Sequence, residues 1–310
     1  MTDILAVHGV NVLKGNALAV GAMAAWAISF PAAEFLLPNW DALMLTTLRF
    51  ALALAFIVPL WAMAEGWRAV WRAPWVRGIL VGAPTFGCAV YLLLVSQSLT
   101  DAVTAAILAV TMPIAGAAIE VVTGARKLRL TFVFGLALSL IGGLVATGSV
   151  QVNSLGLGAL AMLVSVFLYA LGSYFSVRSF PELSPYGRSA LPLMGGLVLA
   201  GTAVVALQLT GHEILPQHRI DGAEIGLILI YTMVGLGLSQ VLWVASVGHL
   251  GVAVASIHVN ATPFYVMLTM VILGAAWNWQ QPLGAAIVIA GVVVAQKRRR
   301  SITPPEVLPR

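Results

Sequence analysis

The sequence predicts an all-α polytopic membrane protein: ten transmembrane helices arranged as two inverted five-helix repeats, with both termini in the cytoplasm. Three observations point there. First, 60% of the 310 residues are AVILMFWYC and only 9% are charged, where a soluble domain carries roughly 25% charged residues. Second, the few acids and bases lie between apolar runs long enough to cross a bilayer at about 20 residues each. Third, the chain matches itself across its two halves. An outer-membrane barrel would alternate polar and apolar residues in pieces of about ten, and no such alternation occurs.

The spans follow in order. The first, 17–36, comes after Asp3 and Lys14 and is too long for the apolar core of a cleaved signal peptide, so it stays in the mature chain. The second, 42–63, is apolar except for Arg49. The loop after it sets Trp67, Trp71 and Trp75 at helical spacing beside Arg68 and Arg72, which predicts a short helix in the headgroup layer. Trp40, Trp277 and Trp279 are expected to form the matching belt on the other side. The third span, 78–99, encloses the lone cysteine, Cys88, which has no intrachain partner and lies too deep for a metal cluster.

The fourth span, 101–122, begins at Asp101, a side chain suited to cap its first turn, and carries Pro113. The fifth, 130–147, presents Gly135, Gly142 and Gly143, small residues that let helices approach closely or form a dimer face. The second half supplies spans 155–177, 185–209, 223–247 and 251–273, the last with Pro263. The tenth, 283–296, is short and also Gly-rich through Gly284 and Gly291. It is stopped by Lys297, Arg298, Arg299 and Arg300, whose side chains reach back to the interface. The corresponding units are 1–154, 155–296 and a basic tail, 297–310.

Orientation follows from the basic residues. Of the 16 Lys and Arg, Arg49 lies within a span and Arg219 in an outer loop, which leaves 14 on the side of the N-terminus. That bias fixes both ends inside. The formal charge of +5 therefore reflects topology, and the lipid bilayer rather than nucleic acid is the partner it implies.

Self-comparison pairs Trp26 with Tyr169 at an offset of 143. At an offset of 150 it pairs Ser96 with Ser246, Ala105 with Ala255, Ile107 with Ile257 and Pro113 with Pro263. At 149 it pairs Gly135 with Gly284 and Gly142 with Gly291. Five spans per copy is an odd number, so the second copy enters the membrane from the opposite face. Inverted repeats of this kind build alternating-access transporters, because exchanging the conformations of two similar halves turns an inward-open state into an outward-open one.

Two five-span repeats, the Thr47-Leu48-Arg49-Phe50 stretch and the paired prolines of the fourth and ninth spans resemble the EamA type of the drug/metabolite transporter superfamily, over residues 15–296. Within it the chain most resembles broad-specificity amino-acid exporters. The resemblance implies a multi-pass protein of the bacterial cytoplasmic (inner) membrane that exports small amphipathic solutes, amino acids including aromatic ones, as a monomer or homodimer. Other metabolites or cationic drugs are the alternative cargo. An intramembrane lipid-modifying enzyme is the rival from another class, and it would need an acid/base pair or metal ligands at one depth.

Polar and aromatic side chains at midspan are the substrate candidates, because a polar group in lipid is costly and faces a cavity or a partner. Trp26, Tyr91, Thr111, Tyr169 and Thr262 fall near the midplane, with Gln240, Trp243, His258 and Asn260 somewhat toward the cytoplasm. In the ninth span Val254, His258, Thr262 and Tyr265, spaced by four, four and three, are expected to share one helical face. The set suits a zwitterion with an aromatic side chain. Pro113 and Pro263 each remove a backbone donor, freeing the carbonyls of Ala109 and Val259, and are the candidate hinges.

Glu34 and Arg49 are expected to form an ion pair, with binding of a substrate carboxylate by Arg49 as the lesser alternative. No phosphate-binding Gly-x-x-x-x-Gly-Lys-Ser/Thr motif is present, so transport is expected to run on a gradient or by exchange. No catalytic residue, metal ligand set or cofactor is predicted.

Overall fold

The computed structural model describes residues 2–122, 130–147, 152–250 and 255–296; the basic tail from Lys297 onward lies outside them. Every regular element among these residues is helical. They are α1 (Thr2–Leu36), α2 (Ala42–Glu65), α3 (Trp67–Arg72) and α4 (Trp75–Leu99), then α5 (Ala102–Ala109), α6 (Met112–Val122) and α7 (Leu130–Thr147). The remainder are α8 (Val152–Ser179), α9 (Pro185–Leu209), α10 (Gly222–Leu250), α11 (Thr262–Ile272) and α12 (Gln280–Gln296).

Six of the helices contain stretches long and apolar enough to cross a membrane: Val12–Leu36, Ala42–Glu65, Trp75–Leu99, Gly156–Ser179, Pro185–Leu209 and Gly222–Leu250. Ala102–Gly116 and Ile257–Ile272 are shorter apolar helices.

Several starts are set by side-chain caps that satisfy otherwise orphaned amide groups. Asp41 accepts from the amides of Leu43 and Met44 at the head of α2. Asp101 caps α5 as its position predicts, taking the amides of Val103 and Thr104, both at 2.9 Å, and the Thr104 hydroxyl. Asp221 accepts from Glu224 N at 2.8 Å to start α10.

The aromatic belts differ from expectation in two places. Trp67 and Trp71 are exposed on α3. Trp75 begins α4 instead, half-buried, with its indole N–H on Val70 O at 2.8 Å and its ring 6.0 Å from Trp61. Trp277 and Trp279 are exposed, but Trp40 is buried and donates to Glu224 Oε1. An indole that finds a carboxylate acceptor has no need of the headgroup layer to satisfy its N–H.

Both prolines sit at helix breaks. The fourth apolar segment is interrupted at Val110 and Thr111, whose amides reach back only three residues, to Ile107 O and Leu108 O. Pro113 then lies in the first turn of α6, where its missing N–H costs nothing. In the ninth segment a 3₁₀ helix, Ser256–Ala261, precedes α11, and the carbonyl of Val259 that Pro263 leaves free accepts from Thr262 N.

Two π-helical stretches interrupt the longest apolar helices, Ala83–Gly87 within α4 and Ile230–Leu238 within α10. The 150-residue offset carries the first into the second. Packing repeats the correspondence: α4 lies against α8 and α9, and α10 lies against α1 and α2. Each copy's third long helix therefore docks on the first two long helices of the other copy.

α7 and α12 pack closely on each other. A Cβ on Gly142 would fall 2.6 Å from the backbone nitrogen of Val288, so a residue with a side chain cannot replace Gly142 without separating the two helices. This glycine therefore serves packing within the chain.

Candidate functional site

A small cavity of about 30 Å³ lies where the two halves meet. Its wall is drawn from six elements: Met23 and Trp26 of α1, Leu93 of α4, Met112 of α6, Ser165, Val166 and Tyr169 of α8, Ser239, Gln240 and Trp243 of α10, and Val259 of the 3₁₀ turn. The wall is mainly apolar with a few convergent polar groups, the composition of a small-molecule site.

Four of the predicted binding residues meet there: Trp26, Tyr169, Gln240 and Trp243. The Tyr169 hydroxyl donates to Gln240 Oε1, joining α8 to α10. Its ring stands edge-on to Phe86 at 4.8 Å, and the Trp26 ring stands edge-on to Phe30 at 5.1 Å. Ser165 Oγ donates to Ala89 O at 2.7 Å, tying α8 to α4. The indole nitrogen of Trp243 is buried without a hydrogen-bond partner.

The other candidates lie elsewhere. Tyr91 is 37% exposed and is not part of the wall. Thr111 is buried just before Met112, with its hydroxyl on Leu108 O at 2.8 Å. Thr262 is buried with its hydroxyl 3.6 Å from the sulfur of Met23, a wall residue. His258 is half-buried with Nδ1 3.2 Å from Ala255 O, and Asn260 Oδ1 is buried without a partner.

The shift in the ninth segment has a geometric cause. The common face expected for His258, Thr262 and Tyr265, and for Val254, which lies outside the described residues, assumes 3.6 residues per turn. A 3₁₀ helix has three, so Val259 and Thr262 stack in line while His258 and Asn260 fall to either side. Val259 therefore reaches the wall in place of its polar neighbours.

The expected Glu34–Arg49 ion pair is not made. Glu34 Oε2 accepts from Gln97 Nε2 at 3.0 Å and borders a separate cavity of about 170 Å³ with Asp101 and Trp277. Arg49 Nη2 donates to Ser29 Oγ and to Gly235 O, each at 3.1 Å, and the guanidinium lies 4.3 Å above the Tyr231 ring. Depth explains the change: Ser29 and Arg49 each sit about two turns from the α1–α2 connection, whereas Glu34 lies within the last turn of α1.

Sequence reasoning missed Ser165 and Ser239, although each has a legible signal. Ser165 stands one turn before Tyr169, and Ser239 directly precedes Gln240. Ser29 and Gly235, the partners of Arg49, carry no such signal. Gly235 belongs to the π-helical stretch of α10, and a Cβ there would lie 2.3 Å from Ser29 Cβ. Its lack of a side chain is what lets α1 and α10 close around the arginine.

Comparison with known proteins places these features in a family. No curated protein matches the sequence. One solved structure, described only as a crystal structure of a protein, shares the fold with a TM-score of 0.67 at 19% identity, covering 91% of this chain and 96% of that one. The model of the EamA-like transporter family matches twice, over residues 13–148 and 156–296. The chain, a multi-pass helical membrane protein with two copies of that unit, belongs to the EamA-like transporter family.

Proposed function

We propose that the protein is a secondary transporter that exports small amphipathic solutes, amino acids including aromatic ones, from the cytoplasm of a bacterium across its inner membrane. Ten spans, with both termini cytoplasmic, form two inverted units, 1–154 and 155–296. Alternating access comes from exchange of conformation between them, with bends at Pro113 and Pro263.

One observation carries this reading: both repeats contribute aromatic and polar groups to a single cavity, Trp26 from the first and Tyr169, Gln240 and Trp243 from the second. A relative movement of the halves alters such a wall from both sides at once. The indoles and the phenol offer flat apolar surface to an aromatic side chain. The amide of Gln240, the hydroxyls of Ser165 and Ser239 and the unmatched indole N–H of Trp243 offer hydrogen bonds to an amino-acid backbone.

The test is flux of labelled phenylalanine in proteoliposomes. Saturable flux that falls when Trp243 is changed to Ala supports the assignment. Flux no different from protein-free liposomes, across a panel of amino acids, overturns it.

A further inference from the structure

Arg49 is the only buried Lys or Arg among the described residues, with 2% of its surface exposed. A guanidinium does not give up its proton at any physiological pH, so a full positive charge lies inside the apolar bundle. Its neighbours are neutral: the Ser29 hydroxyl, the Gly235 carbonyl and the face of Tyr231. Nε of the same guanidinium is buried with no hydrogen-bond partner. Among the described residues no carboxylate pairs with it; Glu34, the acid predicted to do so, is held by Gln97.

Burying a charge without a counter-ion is among the costliest arrangements available to a membrane protein. The position of Arg49 supplies a reason to keep it. The Gly235 carbonyl that takes Nη2 also takes Ser239 Oγ at 2.8 Å, and Ser239 lines the central cavity. The Ser29 hydroxyl that meets Nη2 donates at 2.6 Å to the backbone carbonyl of Trp26, another wall residue. Two single-atom bridges thus join the guanidinium to two residues of the cavity wall, Ser239 and Trp26. Nε and Nη2 form the side edge of the guanidinium, the edge that grips a carboxylate through two parallel hydrogen bonds, and one of those donors is unspent.

We propose that Arg49 binds the carboxylate of the transported solute, so that cargo entering the cavity supplies the counter-ion this cation lacks. This assignment rests on the amino-acid reading above and refines it: the cargo is a monocarboxylate, and the solute's anionic end faces α2 while its side chain lies among Trp26, Tyr169 and Trp243. On binding, the carboxylate replaces the Ser29 hydroxyl on Nη2 and takes up Nε. Ser29 keeps its bond to Trp26 O.

The experiment uses the full-length purified protein and four probes that share one aromatic ring: phenylalanine, phenylalaninamide, 3-phenylpropionate and phenethylamine. Binding is measured for wild type, Arg49→Lys and Arg49→Met. Wild type is expected to hold phenylalanine and 3-phenylpropionate about tenfold or more tightly than the two probes without a carboxylate. Arg49→Met erases that preference while still binding phenethylamine, and Arg49→Lys retains part of it because the charge remains but the two-pronged geometry is lost.

Equal binding of phenylalanine and phenylalaninamide by wild type overturns the assignment, as does an undiminished preference in Arg49→Met. Should Arg49→Met not fold, Arg49→Lys decides the matter: an unchanged carboxylate preference there refutes the proposal, and a reduced one supports it. If wild type binds none of the four probes while transporting solutes of another class, the amino-acid reading itself has failed.

Discussion

The Tyr169 hydroxyl donates to Oε1 of Gln240, so a single hydrogen bond spans the cavity between α8 and α10. Tyr169→Phe removes the donor and leaves a buried amide oxygen unmatched, an expected loss of about 1 to 3 kcal/mol. Tyr169→Phe combined with Gln240→Leu removes both partners, and its loss is expected to be smaller than the sum of the two single losses. Unfolding in detergent measures the cycle; strict additivity would show that the two groups do not interact.

The cavity separates two aromatic residues that look equivalent in the sequence. Trp243 lines the wall and Tyr91 does not, so Trp243→Ala is expected to lower the affinity for transported solute by about tenfold while Tyr91→Ala leaves it near wild type. Concentration-dependent flux in proteoliposomes checks this. Comparable losses in the two variants would contradict the assigned wall.

Glu34 and Arg49 have separate partners, Gln97 for the acid and Ser29 with Gly235 for the base. Stability losses from Glu34→Gln and Arg49→Lys are therefore expected to add to within about 0.5 kcal/mol. Glu34→Gln and Gln97→Ala, in contrast, share an interaction, and their losses are expected not to add. Coupling in the first pair would restore the direct ion pair that this geometry lacks.

Gly235 and Ser29 face each other across the α1–α10 contact. Gly235→Ala puts a methyl group 2.3 Å from Ser29 Cβ, a clash expected to cost about 1 to 3 kcal/mol. Adding Ser29→Gly removes the opposing carbon and is expected to recover part of the loss, read as a rise in melting temperature over Gly235→Ala alone. No recovery would place the strain elsewhere.

Much of the helical plan was legible along the chain. A bilayer imposes long apolar runs, and a backbone in hydrocarbon must satisfy its hydrogen bonds within one segment. Composition and run length therefore predict helices with little help from tertiary contacts. Caps such as Asp101 act over three residues, and a proline breaks a helix wherever it falls, so both are readable locally. The doubled pattern was visible for the same reason: equivalent positions such as Pro113 and Pro263 face equivalent local demands.

The site was legible only in part. Trp26, Tyr169, Gln240 and Trp243 stood out because large polar-tipped residues at midspan are costly anywhere else. What the sequence left undetermined was direction. Tyr91 is as deep by residue count as Tyr169 and is partly exposed, since depth says nothing about which side of a helix faces a neighbour. His258 and Asn260 lost their places to Val259 because a 3₁₀ turn changed the angle between successive side chains.

Residue order alone thus determined that this chain is helical, apolar, doubled and furnished with a buried arginine, because each of those features follows from local chemistry or from the cost of polarity in lipid. The partners of that arginine were decided only in three dimensions. Ser29 and Gly235 meet Arg49 because a π-helical stretch in α10 and a residue without a side chain allow three helices from both halves to converge, and contacts between segments nearly two hundred residues apart leave no trace in the spacing of either one.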